Sequence, residues 1–330
     1  MGVLKKAALG AVAGAGAVFY ARAMLARNRR LVRPRIEDAA GRELPVSRFR
    51  FSGGEEVEYI DVGPGVAAIP GSTKARAPTL VWVPGADGPK ETFRYQLPHF
   101  ARSHRVICAD LRIRITPEHV FDRFADDLDE LLTALQPGPM VIIGQSLGSA
   151  IALRFADRFP DDVRGLVLAN PVARLTYEHV GLNRTGLTPV AQGTTRYLPT
   201  ALSYGVARAV WSPLGVWIYD DSSGREALID YAHDTGPRTT PSRVSAARVG
   251  LLKGHDLRDG LWRLDVPVLV VKGPGDVYCP VSWALEIADR LPDARYVPIL
   301  GTGHCSHISR PAAFNQAIEV WLRELDGRDE

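Results

Sequence analysis

The feature that most constrains this sequence is the stretch Gly144-Gln145-Ser146-Leu147-Gly148, which lies between two apolar segments. The preceding letters MVII are typical of a buried strand, and the following AIAL favours an apolar helix. The GxSxG pattern needs this setting, because its serine stands on a sharp strand-to-helix turn and its two glycines permit close packing. A bare Gly/Ser turn lacks these flanks. Ser146 is therefore the candidate nucleophile.

The pattern after residue 35 alternates short β-branched runs with helical stretches, which predicts a mostly parallel sheet with crossover helices. Two antiparallel strands are expected first, at 47–51 and 57–61. Parallel strands follow at 80–83, 105–109, 141–144 and 165–169, and a helix is expected over 121–135. A second unit adds strands at 268–271 and 296–300 and helices at 283–291 and 312–325. The fold class is therefore α/β.

The alternation stops between residues 173 and 259, and this interval predicts an inserted helical cap. The chain then divides into an apolar and basic arm (1–35), a first core part (36–172), the cap (173–259) and a second core part (260–330). Aromatic side chains are scattered through the predicted cap among proline and glycine, namely Tyr177, Tyr197, Tyr204, Trp211, Trp217, Tyr219 and Tyr231.

An acid and a histidine follow the last two predicted strands. A serine hydroxyl is a poor nucleophile at neutral pH, so a general base held by a carboxylate must lie within reach. Asp276 comes just after the strand in VLVVKGPGD, and His304 comes just after the next strand in RYVPILGTGH. Both residues stand at strand-to-loop transitions, where they can meet Ser146.

Taken together, GQSLG, KGPGD and GTGH, with a helix beginning near Pro311, resemble the α/β-hydrolase superfamily with an inserted cap, across residues 45 to 325. The resemblance implies the chain order serine, acid, histidine. It implies that Ser146 is the nucleophile, Asp276 the acid and His304 the base. It also implies that the Leu147 NH supplies half of the oxyanion hole, within an elbow that includes Gly144, Gln145 and Gly148.

The second oxyanion donor is expected from the turn after the strand TLVWV, where Ala86 NH is the candidate. Many relatives have His-Gly-x at this turn, and this chain has Pro84-Gly85-Ala86. A second departure follows ICADLR, where relatives often continue with a Gly-rich loop and this chain has IRITPEHV. These departures affect the oxyanion turn and the pocket wall.

A serine at the elbow argues against the epoxide-hydrolase and dehalogenase branches, which use an aspartate. Acyl transfer through an acyl-enzyme is expected on a small-molecule ester, and the aromatic cap favours a lipophilic group. The same triad could serve a thioesterase or a carbon–carbon bond hydrolase. A ligand-binding receptor on this scaffold, with little turnover, is the alternative from a different class.

The net charge of +3 is unevenly distributed. Residues 1–35 carry eight basic residues and no acidic one, which leaves 32 bases against 37 acids in the rest. The uncharged segment 7–21 and its basic flanks predict membrane association, with the catalytic body on the cytoplasmic side. A cleaved signal peptide with secretion, or a soluble cytoplasmic extension, are the alternatives.

Cys108, Cys279 and Cys305 show no metal-ligand spacing and are too few for a disulfide framework. We expect no metal, no cofactor and no nucleic-acid partner. His307, three residues after His304, is expected to hold its loop and not to act as the base. The oligomeric state is left open.

Overall fold

The computed structural model describes residues 35–64, 77–174, 242–276 and 278–328, with the isolated positions 16, 18–20, 22, 23, 224, 226–228, 231 and 240. Its strands are β1 (Ser47–Arg50), β2 (Glu56–Val62), β3 (Thr79–Val83), β4 (Val106–Ala109), β5 (Met140–Gln145), β6 (Val163–Ala169), β7 (Val268–Lys272) and β8 (Ala294–Pro298).

Seven α-helical segments accompany these strands in the described ranges: α1 (Leu97–Phe100), α2 (Arg123–Leu135), α3 (Leu147–Arg158), α4 (Ser242–Leu251), α5 (Val281–Arg290), α6 (Ser306–Ser309) and α7 (Pro311–Asp326). Lys90–Phe93 and Leu257–Arg263 form 3-10 helices. The regular strand-helix alternation follows the hydrophobic pattern of the sequence.

The eight strands form one sheet in the order β1-β2-β4-β3-β5-β6-β7-β8. β1 and β2 pair antiparallel, as do β2 and β4, whereas β4, β3, β5, β6, β7 and β8 run parallel. The expected mostly parallel sheet flanked by helices is therefore confirmed. Because the parallel strands end at the same edge, the loops after β3, β5, β6, β7 and β8 meet there.

The core lies on both faces of the sheet, because alternate residues of a strand point to opposite sides. Val81 and Ile142 pack with α2, α3 and α5 on one face. Leu80 and Val141 pack with α1 and α7 on the other face. All six residues of β5 are buried, as expected for a strand that is covered on both sides.

The last predicted strand is displaced by two residues. The sequence predicts a strand over 296–300, whereas β8 runs over Ala294–Pro298. Leu300 is 75% exposed, and Gly301 has a φ of 70°, so the chain turns away from the sheet here. Leu300 is apolar, but it therefore lies beyond the end of β8.

The two ends of the predicted cap are adjacent. Leu257 donates its NH to the Ala173 carbonyl at 2.9 Å, and the main chains of Arg174 and Asp256 form an isolated antiparallel β-bridge. Most of residues 173–259 lie outside the described residues. Within this interval the structure describes the two ends, with α4, and the isolated positions 224, 226–228, 231 and 240. We propose that this segment is an insertion between β6 and β7, since a chain that leaves and returns at one place does not disturb the sheet.

Most of the predicted arm, residues 1–35, also lies outside the described residues. Within the described ranges, no helix is long and apolar enough to cross a bilayer. Membrane association therefore stays a prediction.

Replacing Phe314, a fully buried residue of α7, should test the packing of α7 on the sheet. We expect Phe314→Ala to lower the free energy of unfolding by about 3 to 5 kcal/mol, because it removes buried surface and leaves a cavity. Val120 is 59% exposed, so Val120→Ala should change stability by less than about 0.5 kcal/mol. Urea denaturation of both variants measures the difference. Equal denaturation midpoints for the two variants would contradict the packing of α7 on the sheet.

Candidate active site

Ser146 occupies the turn between β5 and α3 with φ 53° and ψ −119°. Positive φ is uncommon for a residue with a side chain, and a strained serine between strand and helix is the geometry that the GxSxG pattern predicts. The surroundings hold the turn, because the Ser146 NH donates to the Ala169 carbonyl at 2.9 Å and Ser149 Oγ donates to the Ser146 carbonyl at 2.5 Å.

The glycines of the elbow are needed for close packing. A Cβ at Gly144 would lie 2.2 Å from the Gly148 carbonyl oxygen, and a Cβ at Gly148 would lie 2.1 Å from the Val83 carbonyl oxygen. Side chains at either position would push α3 away from β5 or β3. The two flanking glycines of the motif therefore let α3 begin directly against the sheet edge.

Asp276 lies buried after β7, and its carboxylate accepts five hydrogen bonds. Oδ1 accepts from the NH groups of Tyr278 and Cys279 at 2.9 and 3.0 Å. Oδ2 accepts from His304 Nδ1, Asn170 Nδ2 and Lys272 Nζ. Although burial opposes ionisation, His304 and Lys272 hold the pKa of Asp276 well below its ordinary value.

His304 lies on the loop after β8, and its Nδ1 is 2.9 Å from Asp276 Oδ2. Burial disfavours the charged ring, but the Asp276 carboxylate outweighs it and raises the pKa of His304 above its ordinary value. The Tyr278 ring packs edge-on at 5.3 Å between centroids. These contacts orient the imidazole with Nδ1 toward the acid, which leaves Nε2 for proton transfer.

The elbow and the acid-histidine pair meet through Gln145, whose Nε2 donates to the His304 carbonyl at 3.2 Å. A Cβ at Gly85 would come within 2.3 Å of Gln145 Oε1, so the same side chain also fits against the turn after β3. In the described part of the chain, Ser146 Oγ makes no hydrogen bond to the His304 ring. Catalytic hydrogen bonds of this kind often shorten only when substrate binds.

The predicted oxyanion residues lie at the same edge. Leu147 is the first residue of α3, where main-chain NH groups have no acceptor within the helix. Ala86 lies in a turn that is closed by the Gly88 NH donating to the Gly85 carbonyl at 2.9 Å. Leu147 thus follows β5 and Ala86 follows β3, and these two strands are neighbours in the sheet.

Arg248 of α4 is fully buried and holds this turn. Its guanidinium donates to the carbonyls of Ala86, Leu111 and Arg112 at 2.9, 2.7 and 2.7 Å. A Cβ at Gly88 would lie 1.9 Å from Arg248 Nη1, so glycine is required there. Burial lowers the pKa of Arg248 to about 10. The sequence gives no sign of this contact, because no motif marks an arginine in the predicted cap.

Asn170 and Lys272 were also missed. Asn170 follows β6 and donates to Asp276 Oδ2 and to the Gly303 carbonyl, at 2.8 and 3.1 Å. Its φ of 48° suits asparagine better than most residues. The polar residues at the ends of the apolar runs GLVLAN and VLVVK were the signal that could have indicated both.

His307 is fully buried and packs at 3.2 Å from Thr92 Oγ1 through Nε2. Its carbonyl accepts from Gln96 at 2.9 Å. Burial, together with the charge of His304, lowers the pKa of His307 to about 3, so the ring is neutral. These contacts hold the loop that carries His304, in agreement with the role expected from the sequence.

Asp276, Cys279 and His304 bring three atoms that can bind a metal to within 4.8 Å of one another. The Asp276 carboxylate is already fully hydrogen-bonded, and the Lys272 ammonium lies against it. A cation would meet this positive charge at short range. The donor set therefore fits an acid-base pair better than a metal centre.

A parallel sheet with a serine on a strained elbow and an acid-histidine pair at the same edge defines the α/β-hydrolase class. The chain matches the Alpha/beta hydrolase family over residues 80–317, and it belongs to that family.

Three relatives show how far the likeness extends. The chain is 24% identical to 3-oxoadipate enol-lactonase 2 of Acinetobacter baylyi over 264 residues, which cover 77% of this chain and 91% of the relative. It is also 24% identical to a putative carbamate hydrolase, RutD, of Agrobacterium fabrum, over 78% of this chain and 98% of the relative. A solved thermophilic esterase from Thermogutta terrifontis superposes with a TM-score of 0.63 at 24% identity, over 84% of this chain and 99% of the esterase.

Removing the guanidinium should loosen the turn after β3. We expect Arg248→Met to lower the free energy of unfolding by about 2 to 4 kcal/mol, because one buried and two partly buried carbonyls lose their donor. Arg102 also donates to a main-chain carbonyl, that of His99, but this hydrogen bond is exposed. Arg102→Met should cost less, since water can replace its bonds. Thermal and urea unfolding compare the two, and an equal or larger loss for Arg102→Met would contradict this role of Arg248.

Proposed function

We propose that this protein is a serine hydrolase that cleaves a carboxylic ester or a related acyl bond of a lipophilic small molecule. The observation that carries the proposal is the hydrogen bond between Asp276 and His304, which lies beside the strained Ser146 turn and is joined to it through Gln145. Membership of the Alpha/beta hydrolase family supports hydrolysis. The enol-lactonase and esterase relatives act, by their names, on ester-type bonds.

In the proposed mechanism, Ser146 Oγ attacks the acyl carbon while His304 Nε2 takes the hydroxyl proton. Asp276 holds the ring and stabilises the imidazolium. The NH groups of Leu147 and Ala86 donate to the oxyanion of the tetrahedral intermediate, which collapses when His304 returns the proton to the leaving alcohol. A water molecule activated by His304 then hydrolyses the acyl-enzyme and restores Ser146.

The preference for a lipophilic group is supported by apolar packing next to the base. Leu228 and Tyr231, both from the predicted cap, form a buried cluster with Ile308, and Cys305 packs against it. Cys305 and Ile308 follow His304 in the sequence, so the cluster brings two apolar side chains of residues 173–259 to the segment that carries the base. Apolar walls with few polar groups are typical of sites for small lipophilic ligands.

Replacing Ser146 tests the nucleophile. We expect Ser146→Ala to lower turnover of nitrophenyl esters by about three orders of magnitude or more, because only the attacking oxygen is lost. Covalent labelling by a fluorophosphonate should disappear, with the unfolding midpoint unchanged or raised. Ser103→Ala is a matched control, since Ser103 is exposed and precedes β4, at the sheet edge opposite to Ser146. Labelling of Ser146→Ala at the wild-type rate would refute the assignment.

The same panel separates the alternatives. Nitrophenyl esters of increasing acyl length, matched thioesters and a carbon–carbon bond substrate give the preferred bond as a ratio of kcat/KM values. A receptor-like protein would be labelled slowly or not at all and would release no more than one equivalent of nitrophenol. Multiple turnover of any ester, lost in Ser146→Ala, contradicts the receptor alternative.

We also propose that residues 1–35 attach the protein to a membrane. The arm joins an uncharged segment to eight basic residues, and each basic residue near an anionic surface contributes about 1 kcal/mol. Full-length protein should sediment with anionic vesicles at low salt, and a variant that lacks residues 1–35 should stay in the supernatant with its esterase activity. Full-length protein in the supernatant at low salt would contradict attachment.

A further inference from the structure

Three donors of different charge converge on one oxygen of the acid. Asp276 Oδ2 accepts from Lys272 Nζ at 2.5 Å, from Asn170 Nδ2 at 2.8 Å and from His304 Nδ1 at 2.9 Å. The catalytic base and an ammonium group therefore share a single carboxylate oxygen.

Neither member of the Lys272–Asp276 ion pair is accessible to solvent, since both side chains are 0% exposed. Lys272 is the last residue of β7, and its Nζ also donates to the Cys279 carbonyl. Charges in such a position are screened little by water or salt, so their mutual effects are large. Burying a lysine is costly, and a neutral residue of similar shape could fill the same space.

The charge matters because the base works only as a neutral ring. Asp276 stabilises the imidazolium form of His304, which favours a base that stays protonated at neutral pH. A positive charge on the same carboxylate oxygen has the opposite effect, since it repels the imidazolium and partly compensates the acid. Asn170 donates to that oxygen as well, but it carries no charge.

Other ionisable groups also face His304 from the elements around it. Asp87 lies in the turn after β3 and interacts with His304 by charge, and Cys279 lies after β7. Cys305 is adjacent on the His304 loop, and burial raises the pKa of its thiol. The charged and titratable groups around the ring are thus Asp87, Lys272, Asp276, Tyr278, Cys279, Cys305 and His307. Among those named, Lys272 carries the ammonium group that pairs directly with Asp276.

We propose that Lys272 is a positioning residue which, through Asp276, keeps the His304 ring available as a base at neutral pH. The Lys272 ammonium neutralises part of the negative charge of Asp276, which would otherwise hold the His304 ring in its protonated form. This inference rests on the proposed function, because it gives the base in that mechanism its working range.

The test is the pH profile of kcat/KM for a neutral nitrophenyl ester in the wild type and in Lys272→Met. Without the ammonium, the imidazolium gains stability, so the acid limb should move to higher pH by about one unit or more. We divide kcat/KM of each protein by its own plateau value. At one pH below both limbs, this ratio should be about tenfold or more lower for Lys272→Met than for the wild type. Asn170→Ala removes a neutral donor from the same oxygen and should leave the limb within about 0.3 unit of the wild type.

A lysine that only fills space or satisfies Asp276 would give a different result. Lys272→Met would then lower activity equally at every pH, with the limb in place, and that outcome overturns the proposal. If Lys272→Met does not fold, Lys272→Gln keeps a donor without the charge and should shift the limb in the same direction.

The NMR titration of the His304 ring, assigned by its loss in His304→Ala, separates this inference from the proposed function because it needs no turnover. A higher His304 titration midpoint in the lysine variants supports the inference even if no ester is cleaved. An unchanged midpoint in a protein that fluorophosphonate labels at Ser146 refutes the inference and leaves the hydrolase intact.

Discussion

The candidate site depends on the buried carboxylate of Asp276. This group accepts hydrogen bonds from β7, from the loop that follows it, from the end of β6 and from the loop after β8. A buried carboxylate without such partners would be strongly destabilising, whereas a fully paired one fixes the segments that carry its donors. The position of His304 is therefore a consequence of how Asp276 is satisfied, and the loops after three strands are held together by one side chain.

The opposite side of the site is held by a second buried ionic group, Arg248. Its guanidinium binds carbonyls that follow β3 and β4, while the glycines at 144 and 148 bring α3 against the sheet. Main-chain NH groups can stabilise an oxyanion only if they are oriented before the reaction. A residue of the predicted cap thus orders the turn that contains Ala86, which links the inserted segment to the proposed oxyanion hole.

The fold and the chemistry are separate conclusions for this protein. The sheet and the family are common to relatives named as an enol-lactonase, a putative carbamate hydrolase and an esterase. One fold supports many reactions, so the proposed ester cleavage rests on side chains and not on the sheet. Lys272 illustrates the distinction, because it is the last residue of a sheet strand and its side chain pairs with the acid.

The sequence by itself determined the sheet, the serine turn and the places of the acid and histidine. Period-two burial and strand-to-loop transitions are local properties, and the GQSLG, KGPGD and GTGH motifs mark them. It did not determine the end of β8, where an apolar Leu300 is exposed after a turn. Only the tertiary structure revealed Asn170, Lys272 and Arg248 at the site. Their partners lie 106 residues away for Asn170 and 162 for the contact between Arg248 and Ala86. For Lys272 the partner is only four residues away, and yet burial of both charges, which gives the contact its strength, exists only once the sheet has formed.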